Sequence, residues 1–256
     1  MKIASWNVNS IKARKDHVLN WLEQNTPDIL MVQELKGLDT VPEGEINTLE
    51  YDCFIKPQKT YNGVASFVKK EHKACLIADT LPGDENDEQA RFLDIQIGET
   101  HYINIYLPNG NPYPSEKYDY KLGWMERLYA YLKSYMDQGV EFVLGGDFNV
   151  IPEARDCFDP KAWEDDALYV LPTRQSYRRL LNLGLVEAFR VFNQESQQYT
   201  FWDYQAGCWP QNKGIRIDHF LLSPQMADRL QGCEIDKTPR GLERPSDHTP
   251  IIITLD

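Results

Sequence analysis

Phe92-Leu93-Asp94-Ile95-Gln96-Ile97-Gly98-Glu99-Thr100-His101-Tyr102-Ile103-Asn104-Ile105-Tyr106-Leu107 is the stretch that decides the fold class. Apolar and polar residues alternate over 92–97, a Gly98-Glu99 turn follows, and 102–107 extends again, which is the pattern of a hairpin. Antiparallel pairing weakens a plain Rossmann reading, and the GxGxxG fingerprint is absent. Outward from the hairpin, apolar runs predict strands over 2–7, 29–33, 63–68, 142–146, 200–204, 216–222 and 251–255. Helices are predicted over 14–25, with Val18, Trp21 and Leu22 at helical spacing, and over 116–137, with Trp124, Leu128, Tyr131, Leu132 and Tyr135 along one side. A third runs over 176–183 and stops at Gly184, while 83–88 and 151–166 read as surface loops. No Gly/Ser-rich or Pro-rich linker divides residues 1–256, so the expectation is one α/β domain in which two sheets are flanked by helices.

The 256 residues hold 42% hydrophobic side chains, enough for a sizeable core, and no run approaches the ~18 apolar residues of a membrane span. The N-terminus shows no signal-peptide pattern. Five cysteines without a CxxC pair read as reduced thiols, which points to the cytoplasm. The formal net charge is -12, and it argues against a nonspecific polycationic grip on nucleic acid without forbidding a local basic surface. Residues 170–256 carry equal numbers of acidic and basic side chains, so the whole excess lies in 1–169.

Polar groups gather where strands end. Asn7 closes the first strand and Glu34 follows the second; Tyr106 and Asn109 flank a Leu-Pro step. Asp147 and Asn149 follow Gly145-Gly146, Asp218 sits in Ile217-Asp218-His219, and Asp247-His248 precede the last strand. A cluster of buried acids is costly unless a cation occupies it. Glu34 with Asp147, Asp247 and Asn9 offers hard oxygen ligands suited to magnesium or manganese, and the His/Cys mixture expected for zinc is missing. His248 paired with Asp218 would be an oriented imidazolium, better suited to a phosphate than to a carbonyl.

Taken together, these pieces resemble the exonuclease III family of the endonuclease/exonuclease/phosphatase superfamily. The matching segments are Lys2-Ile3-Ala4-Ser5-Trp6-Asn7-Val8-Asn9, Gln33-Glu34-Leu35-Lys36, Ile105-Tyr106-Leu107-Pro108-Asn109-Gly110 and Gly145-Gly146-Asp147-Phe148-Asn149. Thr200-Phe201-Trp202-Asp203-Tyr204, Arg216-Ile217-Asp218-His219 and Ser246-Asp247-His248-Thr249-Pro250 complete the series, in family order over nearly the whole chain. The resemblance implies a four-layer α-β-β-α sandwich, two mixed sheets packed face to face with helices outside. It implies a DNA-repair phosphodiesterase that cuts beside abasic sites and degrades duplex DNA from 3′ ends, with Mg2+ as cofactor and Mn2+ as substitute. Glu34 would be the principal metal ligand, with Asn9 and Asp247 in its direct or water-mediated shell. Asp147 would orient or deprotonate the attacking water, held in register by Asn7 and Asn149. His248, paired with Asp218, would donate to a non-bridging phosphate oxygen; Asn109 and Tyr106 would contact the phosphate, or Tyr106 would assist the leaving side.

The same resemblance makes Phe201 and Trp202 the aromatic wall for a flipped, base-less sugar, although Trp202 reads equally well as core. Ile215 and Ile217 would line that pocket; relatives often carry Trp or Leu at the first of these positions, so Ile215 makes for a looser fit. Lys36, Lys56, Lys59, Arg91, Lys213 and Arg216 are the backbone-contact candidates. The partner is then double-stranded DNA with abasic sites or 3′ ends, with no membrane, no obligate protein partner and a monomeric chain. Rival readings are an almost pure abasic endonuclease, a superfamily phosphatase or lipid phosphodiesterase, and a non-catalytic RNA-binding relative. The retained Glu34, Asp147, Asp218, Asp247 and His248 count against the last.

Overall fold

The computed structural model describes residues 1–256. In chain order its elements begin with β1 (Lys2–Asn7), α1 (Lys15–Asn25), β2 (Ile29–Gln33), α2 (Glu43–Thr48), β3 (Tyr51–Lys56), β4 (Val64–Lys69) and β5 (Cys75–Ala78). The hairpin β6 (Phe92–Ile97) and β7 (Thr100–Tyr106) follows, then α3 (Glu116–Gln138), β8 (Phe142–Asp147) and α4 (Leu171–Leu181). The chain ends with β9 (Val186–Glu187), α5 (Ala188–Phe192), β10 (Asp218–Leu222), α6 (Pro224–Asp228), β11 (Leu230–Ile235) and β12 (Ile251–Leu255). One six-stranded sheet has the order β11-β12-β1-β2-β4-β3, the other β5-β6-β7-β8-β10-β9. Each has one parallel pair, β1 with β2 and β7 with β8, among antiparallel neighbours.

Strand alternation sorts the core into layers. Ile3, Ile29, Met31 and Val68 of the first sheet pack on Ile95, Tyr102, Val143 and Phe220 of the second. On the outer faces, Ala4, Trp6, Leu30 and Val32 pack on Val18, Trp21 and Leu22 of α1. Ile103, Ile105 and Leu144 pack under Trp124, Leu128 and Leu132 of α3 and Leu180 of α4. Helix, sheet, sheet, helix is the four-layer arrangement expected.

The inter-sheet layer changes character along the strands. After the apolar base come Ser5, Gln33, Ser66 and Asn104, all fully buried. Gln33 donates to Ser5 at 3.1 Å and to Asn104 at 2.8 Å, and Asn104 donates to the Ala65 carbonyl at 2.8 Å. One step further along the same face stand Asn7, Tyr106 and Asp147. The two glycines before Asp147 leave room for the neighbouring strands β7 and β10 of the same sheet. A Cβ on Gly145 would lie 2.3 Å from the Phe220 ring, and one on Gly146, at φ +147, would lie 2.0 Å from the Ile105 carbonyl oxygen.

Several boundaries differ from expectation. Residues 200–204 form no strand: Phe201 makes only isolated bridges to Ile215 and His248. The helix expected over 176–183 is α4, which starts earlier because Pro172 suits a first helical turn. The loop over 151–166 contains two short 3-10 turns, Ala154–Asp156 and Pro160–Trp163. Strands β3, β5, β9 and β11 and helices α2, α5 and α6 carry no strong apolar period and lay unread in the sequence.

Candidate functional site

Asn7, Tyr106 and Asp147 end β1, β7 and β8, and Asp218 opens β10 directly opposite Asp147 in the antiparallel register. Four strands therefore deliver polar side chains to one edge of the inter-sheet layer. Tyr106 and Asp147 line a cavity of about 280 Å³ together with Glu34, Asn109, Asn149, Asp247 and His248, and Asn7 and Asp218 reach it through their hydrogen bonds to Asp147 and His248. Asn7 Nδ2 donates to Glu34 Oε1 and to Asp147 Oδ2, each at 2.9 Å, so one amide ties two carboxylates together. The Tyr106 hydroxyl donates to the same Glu34 oxygen at 2.8 Å. Asp147 Oδ1 accepts the backbone N–H of Asn149 at 2.9 Å. Asn149 donates to the Leu107 carbonyl at 2.9 Å and accepts from Asn109 Nδ2 at 3.0 Å. His248 Nδ1 lies 2.9 Å from Asp218 Oδ2, and its Nε2 lies 3.8 Å from Asp147 Oδ2. Ligand atoms of Glu34, Asp147 and His248 all fall within 4.8 Å of one another.

The charges follow from this geometry. Burial pushes the Asp147 carboxyl up, against the pull of His248 and with help from Asp218. Burial disfavours a charged His248, but the carboxylates of Asp218 and Asp147 outweigh it and hold the ring well above its ordinary range. His248 is therefore an imidazolium, with Nδ1–H on Asp218 and Nε2–H facing Asp147. Burial would also raise Glu34, yet the Lys36 ammonium and the Asn7 amide overcome it and keep the carboxylate ionised. Burial and the charges of Glu34 and Asp147 push the Tyr106 phenol up, so it stays protonated.

The donor set fits a hard divalent cation. Glu34, Asp147, Asp247 and Asn9 offer only oxygen besides the Asn amide nitrogens. Asn9 Nδ2 donates to Asp247 Oδ1 at 3.0 Å, joining that carboxylate to the group. The Lys36 ammonium stands between Glu34 Oε2, at 2.7 Å, and the Asn9 side-chain oxygen, so this cradle already accommodates a positive charge. Asn9, Glu34, Lys36 and Asn149 all have φ between 44 and 60. Left-handed backbone is uncommon for Glu and Lys and costs of order 1–3 kcal/mol per residue, so the contacts around Glu34 and Lys36 must hold it in place.

Phe201 stands with its ring 5.0 Å from that of His248, and with Ile215 and Ile217 it walls the cavity. Two expectations need correction. Trp202 is fully buried, donates to Asn212 at 3.1 Å and packs 4.8 Å from Trp209, so it is core rather than pocket wall. Arg216 is also buried: Nε lies 2.8 Å from Asp156, and one terminal nitrogen lies 2.9 Å from Glu187 and 3.0 Å from His219. It fastens the loop after β8 to β10 and is not a phosphate contact at the surface. Lys36 is turned onto Glu34, and Lys56 pairs with Asp79 at 3.0 Å. Arg91 stacks 4.7 Å over the Tyr106 ring, whereas Lys59 and Lys213 are exposed.

Some residues of the site escaped the sequence reading. Asn111, Trp163, Asp166 and Leu168 complete the cavity wall. Lys121 of α3 is fully buried, and its ammonium donates to the carbonyls of Asn109, Asn149 and Ala167 at 3.0, 2.7 and 3.1 Å. Its signal was present: Lys121, Trp124, Leu128 and Leu132 share the buried stripe of the helix, and a charge on such a stripe needs a partner.

Residues 4–248 match the Endonuclease/Exonuclease/phosphatase family. Among characterised proteins, the chain is 32% identical to exodeoxyribonuclease III of Haemophilus influenzae, with 98% of each chain covered. Among solved structures, it is 37% identical to the 3′ phosphatase NExo from Neisseria bound to a product DNA hairpin, with TM-score 0.94 over 100% of this chain and 99% of that one. An AP endonuclease from Archaeoglobus fulgidus is 36% identical, again with TM-score 0.94 and 100% and 99% coverage.

Proposed function

The chain belongs to the endonuclease/exonuclease/phosphatase family, on its exonuclease III and AP endonuclease side, and we propose that it is a metal-dependent DNA phosphodiesterase of base excision repair. It hydrolyses the backbone on the 5′ side of abasic sites and removes nucleotides or blocking groups from 3′ ends of duplex DNA. The observation that carries this reading is a pair of carboxylates, the half-buried Glu34 and the buried Asp147, bridged by the Asn7 amide and faced by the His248 ring held on Asp218. Such a site matches a reaction in which negative charge builds on phosphoryl oxygens while water loses a proton. The fold alone would serve a lipid or inositol phosphate as well. The chain's likeness to an exodeoxyribonuclease, a DNA-bound 3′ phosphatase and an AP endonuclease, together with the aromatic wall at Phe201, favours DNA.

Mg2+, with Mn2+ as substitute, would be held by Glu34 with Asp247 and Asn9, and would supply Lewis-acid charge to the phosphate. The remaining work falls to the chain itself. Asp147, whose proton affinity is raised by burial, accepts the proton of the attacking water, and Asn7 and Asn149 fix its two oxygens. Water adds to phosphorus as the P–O3′ bond breaks, and the departing O3′ alkoxide takes a proton from solvent, leaving a 3′ hydroxyl and a 5′ phosphate. His248 Nε2–H stabilises the non-bridging oxygens, while Asp218 prevents the ring from turning. Tyr106 gives its hydrogen to Glu34 and so acts on the phosphate through that carboxylate's position. Asn109 holds Asn149 and borders a polar groove with Gln58, Asn62, Arg91 and Lys117 in which a strand can lie. The five free cysteines agree with a reducing compartment such as the cytoplasm.

The test is one gel assay on two duplexes, one with an internal abasic analogue and one with an undamaged recessed 3′ end, each with magnesium and with chelator. Cleavage of the abasic duplex that stops on chelation is the expected result. Equal cleavage under chelation, or none with magnesium, would overturn the reading.

A further inference from the structure

We infer that a second cavity beside the phosphate site binds a nucleobase, and that it lets this enzyme process nucleotides that still carry their base. The inference rests on the phosphodiesterase reading and extends it to substrate selection. The second cavity measures about 340 Å³, within the ~300–1,000 Å³ typical of small-molecule pockets. It adjoins the phosphate site: Trp163, Phe201 and Ile215 line both. Whatever lies in it therefore sits next to the group whose phosphate is being attacked.

The walls are built to stay in place. Phe201 exchanges two backbone hydrogen bonds with Ile215, both 3.0 Å, and Phe158 N–H donates to the Gly214 carbonyl at 3.0 Å. Isolated bridges link Cys157 to Ile215 and Phe201 to His248, so a short backbone ladder crosses from the loop after β8 to the catalytic histidine. Gly214 is needed within it, because a Cβ there would come within 2.7 Å of the Phe201 carbonyl oxygen and of the Trp202 indole nitrogen.

Chemistry selects the occupant. Phe158, 45% exposed although aromatic, lines the cavity together with Phe201 and Trp163, and aromatic rings of this kind stack on any base. Lys213, 5.8 Å from the Phe158 ring centre, joins Asp159 and Asp203 in the polar part of the lining. An ammonium can donate to base carbonyls and carboxylates can accept from exocyclic amines. A base-less sugar would use none of these groups. A frayed 3′-terminal nucleotide enters at low cost, since it has fewer stacking partners to lose than an internal one.

The test compares two duplexes with recessed 3′ ends, one ending in an ordinary nucleotide and the other in a base-less deoxyribose analogue. Ala162→Trp fills the cavity from an exposed position in the Pro160–Trp163 turn, and Phe158→Ala removes a stacking face. With Ala162→Trp, removal of the base-bearing nucleotide should fall at least tenfold while the base-less end is processed within about twofold of wild type. Phe158→Ala should raise KM for the base-bearing end by about tenfold, the loss expected for one stacking contact. Activity on the base-less end also reports that each variant is folded. An equal fall on both duplexes, no change on either, or a wild-type enzyme that ignores base-bearing ends overturns the base pocket. A wild-type enzyme inactive on both duplexes and on internal abasic DNA overturns the phosphodiesterase reading itself.

Discussion

Asp147 shows how one side chain can gather several constraints. Its two oxygens are fixed by different parts of the chain, the Asn7 amide and the Asn149 backbone, and β10 places Asp218 opposite it. Asp147→Asn keeps the shape and removes the base, so single-turnover cleavage of an abasic duplex should slow by about 10²–10⁴ while DNA affinity stays within a fewfold. Cleavage within threefold of wild type would assign the proton transfer elsewhere. Lys121 is the opposite case, a charge that touches no substrate. Burial pushes its ammonium down to about 7, yet three carbonyl acceptors match an ammonium's three hydrogens, one more than a neutral amine carries. Lys121→Met leaves the buried Asn149 carbonyl without a donor, at about 1–3 kcal/mol, and frees the more exposed Asn109 carbonyl to water, while the Ala167 carbonyl keeps the Thr173 hydroxyl at 2.8 Å. The loops bearing Asn109 and Asn149 should loosen, so kcat should drop more than KM rises, alongside a lower denaturation midpoint. A lower midpoint with kcat unchanged would confine Lys121 to stability.

Elements explain what the sequence disclosed and what it hid. Strands buried on both faces, such as β1, β2 and β8, announce themselves as apolar runs, and their polar ends stand out against that background. The edge strands β3, β5 and β11 have mostly half-buried or exposed side chains and no such contrast. Residues 200–204 misled for a related reason. Thr-Phe-Trp has the composition of a strand, but its partners are the far-off Ile215 and Asp247 backbones rather than a ladder neighbour, and no local pattern encodes them. Thr200 binds this irregular piece to β10: its hydroxyl accepts the backbone N–H groups of Ile217 and Asp218 at 3.1 and 3.2 Å. Thr200→Val keeps the volume and strands two buried donors, so urea unfolding should show a loss of about 1–3 kcal/mol. Because Asp218 orients His248, cleavage should weaken in parallel. Unchanged stability would mean that water or a shifted backbone replaces the hydroxyl.

At the scale of the whole molecule, a chain of net charge -12 must bind a polyanion and also bury several ions, which ties its stability to pH. The residues that meet at the candidate site, Glu34, Asp147, Asp218 and His248, were legible because the proposed chemistry fixes their types. The supporting ion network of Asp156, Arg216, Arg190 and Glu187 was not, because its members meet only after folding. His219 belongs to that network: it lies 3.0 Å from Arg216 and 3.0 Å from the Val150 carbonyl. Burial and the neighbouring Arg216 push it down to about 3, against roughly 6.5 in an unfolded chain. Between those values the unfolded chain holds a proton that the folded one refuses, so this residue withdraws stability as pH falls, by about 1.4 kcal/mol per pH unit. Asp156, held below the ordinary carboxylate range once Arg216 and Arg190 overcome its burial, loses its contribution only at still lower pH. Asp147, pushed upward, acts with the opposite sign over part of the same window, so wild-type stability alone would mix the two. The clean readout is the difference between wild type and His219→Gln, followed by urea unfolding at pH 6.5 and at pH 4.5. Wild type should lose about 2–3 kcal/mol relative to the variant across that interval. A difference that stays constant would mean that the ring accepts a proton inside the fold, breaking its contact with Arg216, and that the ion network gives way well before its carboxylates titrate.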